Sequence, residues 1–148
     1  MNASNNNGLI QPYVFFEGRC EEAIEFYKKA LGGEVLVMLR FKDSPVPPPP
    51  GLPPGSESKI MHAQLRIGQT VMMLGDGRCS GKPGGFQGFG LSLSLANEAE
   101  VDKAFKALAE GGQVGMPLEK TFFSPRFGMV TDRFGVMWMV LVQEPPKK

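Results

Sequence analysis

The residues best equipped for chemistry lie in a few short segments. His62 is the sole imidazole in the 148-residue chain, which excludes any site built on two histidines. An imidazole changes charge near neutral pH, so His62 could serve as a general base. With Asp76 or Glu119 it could also hold a metal, although a hydrogen-bonded histidine without metal is the commoner state. It sits in the segment Ile60-Met61-His62-Ala63-Gln64-Leu65-Arg66-Ile67. Read as a strand, that segment places His62, Gln64 and Arg66 on one face and Met61, Ala63, Leu65 and Ile67 on the other, packed one. Met72-Met73 and Met137-Trp138-Met139 stand in two further apolar runs. Parity sets Met73, Met137 and Met139 beside a cleft, with Val136, Trp138 and Val140 turned towards a helix layer. Thioethers there either fill core or line an adaptable apolar pocket, and the two roles are compatible.

Other candidates carry less. Phe122, Phe123, Arg126 and Phe127 fall in one loop and could close over a ligand, or serve surface packing or a dimer contact. Gly85-Phe86-Gln87-Gly88-Phe89-Gly90 has the look of a nucleotide loop, but it precedes a strand and opens no helix. Asp132 lies in the tight turn Asp132-Arg133-Phe134-Gly135 and is expected to brace it. Cys20 and Cys79 form no CxxC pair, and reduced thiols are the expected state.

The elements that must position these residues are legible from periodicity. Tyr13 to Phe16 reads as a strand. Cys20 to Leu31 reads as a helix with Cys20, Ala23, Ile24, Tyr27, Ala30 and Leu31 on one stripe, stopped by Gly32-Gly33. Strands follow at Glu34 to Leu39, Ile60 to Ile67 and Gln69 to Leu74. Between them the proline-dense stretch Ser44 to Ser58 is expected to be an extended, mobile loop, with a polyproline ligand as its sharper reading. The pattern then restarts. Gly90 to Leu95 is a strand, Asn97 caps a helix from Glu98 to Glu110, Gly111-Gly112 stops it, and strands follow from Gln113, at Met129 to Thr131 and at Val136 to Val142. Strand, helix, Gly-Gly, strand, strand, strand occurs twice, and a repeat of that length constrains the whole chain. The expected layout is a tail at 1–10, a first βαβββ module at 11–76, a Gly-rich linker at 77–88, a second module at 89–143 and a tail at 144–148.

Pro12-Tyr13, Gly18, Cys20-Glu21-Glu22-Ala23, Phe26-Tyr27, Leu31-Gly32-Gly33, Ile60-Met61-His62-Ala63, Phe127-Gly128, Thr131-Asp132, Phe134-Gly135-Val136 and Trp138-Met139 together resemble the PhnB-like branch of the vicinal-oxygen-chelate (glyoxalase/bleomycin-resistance/dioxygenase) superfamily. The resemblance implies an α+β fold in which two βαβββ modules form a cupped mixed sheet with helices outside, and a homodimer. It does not imply one chemistry, because the scaffold hosts isomerases, dioxygenases, thiol transferases and drug-sequestering proteins. It also implies a divalent metal held by His, Glu or Gln and acting as a Lewis acid. The corresponding positions here are Gln11 or Pro12, Met73, Phe89 or Gly90, and Met139. Thioethers suit soft copper(I), not the harder ions of that chemistry, so no cofactor is expected and a divalent metal is disfavoured.

Composition narrows the partners. Apolar residues make up 42% and the net charge is +1, which offers no field for nucleic acid or an anionic membrane. No apolar run approaches the roughly 18 residues of a membrane-spanning helix. Met1 to Gly8 lacks the basic start and apolar centre of a secretion signal, so a cytoplasmic chain is expected. The preferred expectation is a metal-free protein that binds a small molecule through His62, Gln64, Arg66, Met73, Met137, Met139, Phe122, Phe123 and Arg126. The alternative is a glyoxalase-like lyase or isomerase that uses a non-standard metal site or His62 as base.

Overall fold

The computed structural model describes residues 8–81 and 85–143. Of the expected tails, 1–7 and 144–148 lie outside the described residues, as do 82–84 of the linker. The elements are β1 (Tyr13–Phe15), α1 (Cys20–Leu31), β2 (Glu34–Arg40), β3 (Ile60–Ile67), β4 (Thr70–Gly75), β5 (Leu91–Leu95), α2 (Glu98–Ala109), β6 (Gln113–Glu119), β7 (Phe127–Thr131) and β8 (Met137–Val142). They build two four-stranded mixed sheets, ordered β1-β4-β3-β2 and β5-β8-β7-β6. In each sheet the first strand of the repeat runs parallel to the last, and the remaining neighbours are antiparallel. The sequence repeat is thus a repeat of topology, in an α+β fold.

The doubled glycines do the same work in both halves. Gly32 and Gly111 take positive φ (+68° and +75°), the left-handed conformation that ends a helix. Their successors are tightly placed, Gly33 against a side chain and Gly112 against backbone. A Cβ on Gly33 would lie 3.0 Å from the Leu65 side chain, and one on Gly112 would lie 2.2 Å from the Thr131 carbonyl oxygen.

Packing divides the chain into two compact units that are not the two repeats. The first comprises residues up to Glu25 together with Gly33–Gly81; the second comprises Phe26–Gly32 together with the chain from Lys82 onward. In the first unit, Val14, Ala23, Ile24, Ala63, Leu65, Met72 and Leu74 are buried. Asp76, 1% exposed, ties this unit together. Its Oδ1 accepts from the backbone N–H of Gly18 and of Cys20, its Oδ2 from that of Ile60, each at 2.8 Å. A bulge alters the expected packing of β3. Leu39 opposes His62 but Arg40 opposes Ile60, so Met61 is skipped. Ile60 is therefore fully buried, and Met61, expected on the packed face, is only half-buried.

In the second unit, α2 buries Val101, Ala104, Phe105 and Leu108, its N-terminus capped as expected by Asn97, whose side chain accepts from Glu100 N–H at 2.9 Å. Strand β6 continues well beyond Val114 and passes through Pro117, which the sheet tolerates because β6 is an edge strand. Strand β7 starts earlier than expected, at Phe127. Gly128 reads as a breaker in sequence, but a Cβ there would lie 2.8 Å from the Phe105 ring, so it is the seat on which α2 packs. The proline-rich stretch also departs from expectation at its end, where Ser56–Ser58 form a 3-10 turn and Ser56 Oγ donates to the Pro53 carbonyl.

Candidate functional site

Strand register assembles a site on one face of the first sheet. Gln64 opposes Val37 on β2 and Met73 on β4, and Met73 opposes Tyr13 on β1. Opposed residues share a face, as do residues two apart along a strand. Tyr13, Phe15, His62, Gln64, Arg66 and Met73 therefore look outward together, while Val14, Ala63, Leu65, Met72 and Leu74 face the core. Gly75 opposes Phe15, and a Cβ on it would crowd the Met61 carbonyl oxygen at 3.1 Å while touching the Tyr13 ring only at an ordinary 3.5 Å.

Three polar groups are linked on this face. Tyr13 Oη lies 2.9 Å from His62 Nδ1, and Gln64 Nε2 lies 3.2 Å from His62 Nε2. The Phe15 ring stacks on Tyr13 with centroids 4.7 Å apart and planes inclined by 19°. Burial, and secondarily the nearby Cys20, hold the Tyr13 phenol above its ordinary pKa. Arg66 stands at the far end of β3, bound to Glu34 at 2.6 Å, so its charge is matched. The face offers hydrogen bonding beside aromatic and thioether surface.

The structure brings His62, Gln64 and Met73 together as expected from alternation, and adds Tyr13 and Phe15, which sequence reasoning passed over. Their signal was present in Tyr13-Val14-Phe15, where only the middle residue is buried. The pairing of His62 with Asp76 is corrected. Both carboxylate oxygens of Asp76 are taken by backbone N–H groups on the packed side. Glu119 lies on β6 in the second unit, opposite Phe127. Among the described residues, no three His, Cys, Asp or Glu side chains gather as metal ligands.

The donor positions implied by the resemblance do not fit a hard divalent ion. Only Gln11 carries a hard donor, its amide oxygen, while its Nε2 donates to the Val71 carbonyl; Pro12, Phe89 and Gly90 have no side-chain donor, and Met73 and Met139 offer only thioethers.

Met137 and Met139 belong to the second sheet. Trp138 and Val140 are buried between and beyond them, as parity required, and both methionines lie on the more open face. Sequence reasoning missed two companions. Ser92, Met139, Met129 and Met116 oppose one another in turn across all four strands, making a thioether row. Phe122 is 98% exposed and Phe123 44%; Phe122, Phe123 and Phe127 form an edge-to-face chain with centroids 5.2 and 5.0 Å apart. Arg126, expected among these ligand contacts, is turned elsewhere: its Nε donates to Asp102 on α2 at 2.6 Å.

Two four-stranded mixed sheets with parallel outer pairing, each built from one strand-helix-strand-strand-strand repeat, define a known class of scaffold. The chain matches the Glyoxalase/Bleomycin resistance protein/Dioxygenase superfamily over residues 9–140 and belongs to it. It is 35% identical to protein YjdN of Escherichia coli over 145 residues, covering 93% of this chain and 97% of that one. Among solved structures, it is similar to protein PA1353 of Pseudomonas aeruginosa (TM-score 0.80, 42% identity, 94% and 100% coverage). It is also similar to a PhnB protein of Bacillus cereus named for 3-demethylubiquinone-9 3-methyltransferase (TM-score 0.71, 27% identity, 92% and 100% coverage).

Proposed function

We propose that this chain binds a small molecule with polar and apolar parts on the outward face of its first sheet, without a divalent metal. The observation that carries the reading is the Tyr13–His62–Gln64 hydrogen-bonded set flanked by Phe15 and Met73. Such a mixture of a few convergent polar groups within apolar surface suits small-molecule recognition. Taken by itself, the second unit carries a separate apolar surface in its thioether row, with Met137 and Met139, and in the exposed Phe122 and Phe123. Chelator-washed protein exposed to nickel, zinc, manganese and iron should retain no stoichiometric ion on elemental analysis. Retention of one equivalent per chain would overturn the metal-free reading. A small-molecule library screened by thermal shift should yield compounds that raise the melting temperature by linkage, and a library without one would remove the binding reading.

The Tyr13–His62 contact favours a second reading, a lyase or isomerase of the glyoxalase kind in which His62 moves a proton. Replacing His62 by Gln should then abolish turnover, and unchanged turnover would remove it. The methyltransferase activity in the name of the Bacillus cereus neighbour is not extended to this chain. The Gly18 and Cys20 N–H groups at the start of α1 donate to the Asp76 carboxylate, which sets a negative charge where a nucleotide phosphate would have to sit. A cytoplasmic homodimer with no nucleic-acid partner completes the proposal. The net charge of +1 supports the last point, and among the described residues no helix is long and apolar enough to cross a membrane.

A further inference from the structure

We infer that Tyr13 carries the outward hydrogen-bond donor of this face, with His62 held behind it as the Nδ1–H tautomer, so that the ligand presents an oxygen acceptor, a carbonyl or carboxylate, beside a flat apolar group. The inference rests on the binding reading above and deepens it. An amide nitrogen only donates. Gln64 Nε2 lies 3.2 Å from His62 Nε2, so that ring nitrogen accepts and carries no proton. A neutral imidazole holds its single proton on the other nitrogen, so Nδ1–H donates to Tyr13 Oη at 2.9 Å. The proton of the Tyr13 hydroxyl then has to point away from His62. Tyr13 is 37% exposed, and His62 is its one polar side-chain partner among the described residues, so that proton faces the open side. A tyrosine phenol is protonated at neutral pH, and burial shifts it further from ionisation, so it stays a donor. Phe15, stacked at 4.7 Å, supplies the flat surface alongside. With both nitrogens engaged, His62 is a positioning residue that sets the direction of the Tyr13 hydroxyl.

Nitrogen-15 NMR tests the tautomer directly, because the chain's single histidine gives one unobscured pair of ring signals. Nδ1 should resonate as a protonated nitrogen and Nε2 as a bare one; a protonated Nε2 would overturn the inference. Benzoate and phenylpyruvate serve as acceptor probes and benzylammonium as a donor-only control, read by calorimetry on the full chain. Tyr13→Phe keeps the ring and should weaken both acids by about tenfold or more while leaving the control unchanged. A matching melting temperature for the variant shows that the loss is not one of folding. Acids that bind both proteins equally would overturn the acceptor assignment and leave the binding reading standing. Acids that do not bind the unaltered protein at millimolar concentration would also overturn it, whereas the binding reading falls only with the wider library.

Discussion

The Tyr27 hydroxyl donates to Asp132 Oδ2 at 2.5 Å across 105 positions of sequence, joining α1 to the turn between β7 and β8. The same oxygen accepts from Trp138 Nε1 at 2.9 Å, and Oδ1 accepts from the N–H groups of Phe134 and Val136. Asp132 is 3% exposed, and four donors satisfy it. Tyr27→Phe removes one donor and should cost about 1–3 kcal/mol in urea unfolding, while Asp132→Ala, which orphans four, should cost more. Equal costs for the two would show that the carboxylate is not the hub.

Gly128→Ala should destabilise the second unit by about 1–3 kcal/mol, because the added methyl meets Phe105 and Leu118 at 2.8 and 2.9 Å. Gly115→Ala provides the control, since its nearest neighbour is the Met129 carbonyl at 3.7 Å. A shift in denaturation midpoint for Gly115→Ala as large as that for Gly128→Ala would contradict this packing.

Stability should fall as pH rises above the ordinary thiol range. Burial, then the charges of Asp76 and Glu21, push the Cys20 thiol well above its usual pKa. The folded chain therefore keeps a proton that the unfolded chain releases above about pH 8.5, and the linkage slope is negative there, at most about 1.4 kcal/mol per pH unit for one group. Cys20→Ala should flatten that alkaline decline in chemical-denaturation curves; an unchanged slope would reject the assignment. Cys20 and Cys79, both buried and free, should also resist alkylation until the chain unfolds.

The methionines should oxidise in the order of their exposure. Met116 is 43% exposed and Met72 only 2%. Under mild peroxide, peptide mapping should find sulfoxide at Met116 well before Met72. Early oxidation of Met72 would mean that β4 does not bury the side assigned to it.

Much of this architecture is legible in the residues themselves, because its causes are local. The apolar stripe of α1, the Asn97 cap and the left-handed Gly32 and Gly111 act within a turn or two of chain. The alternation around His62 and Met139 needs only the two-residue period of a strand. The double occurrence of one element order even made the matching topology of the two sheets foreseeable. What local pattern could not convey depends on contacts between distant segments. The bulge that skips Met61 arises from pairing with β2, and the extent of β6 through Pro117 depends on its lying at an edge. Asp76 and Arg126 look like site residues in isolation, yet distant backbone N–H groups claim one and Asp102 the other. Tyr13 meets His62 only because β1 is laid beside β4, a meeting that their separation of 49 positions conceals. Periodicity decides which side a residue faces; only the folded pairing decides what it finds there.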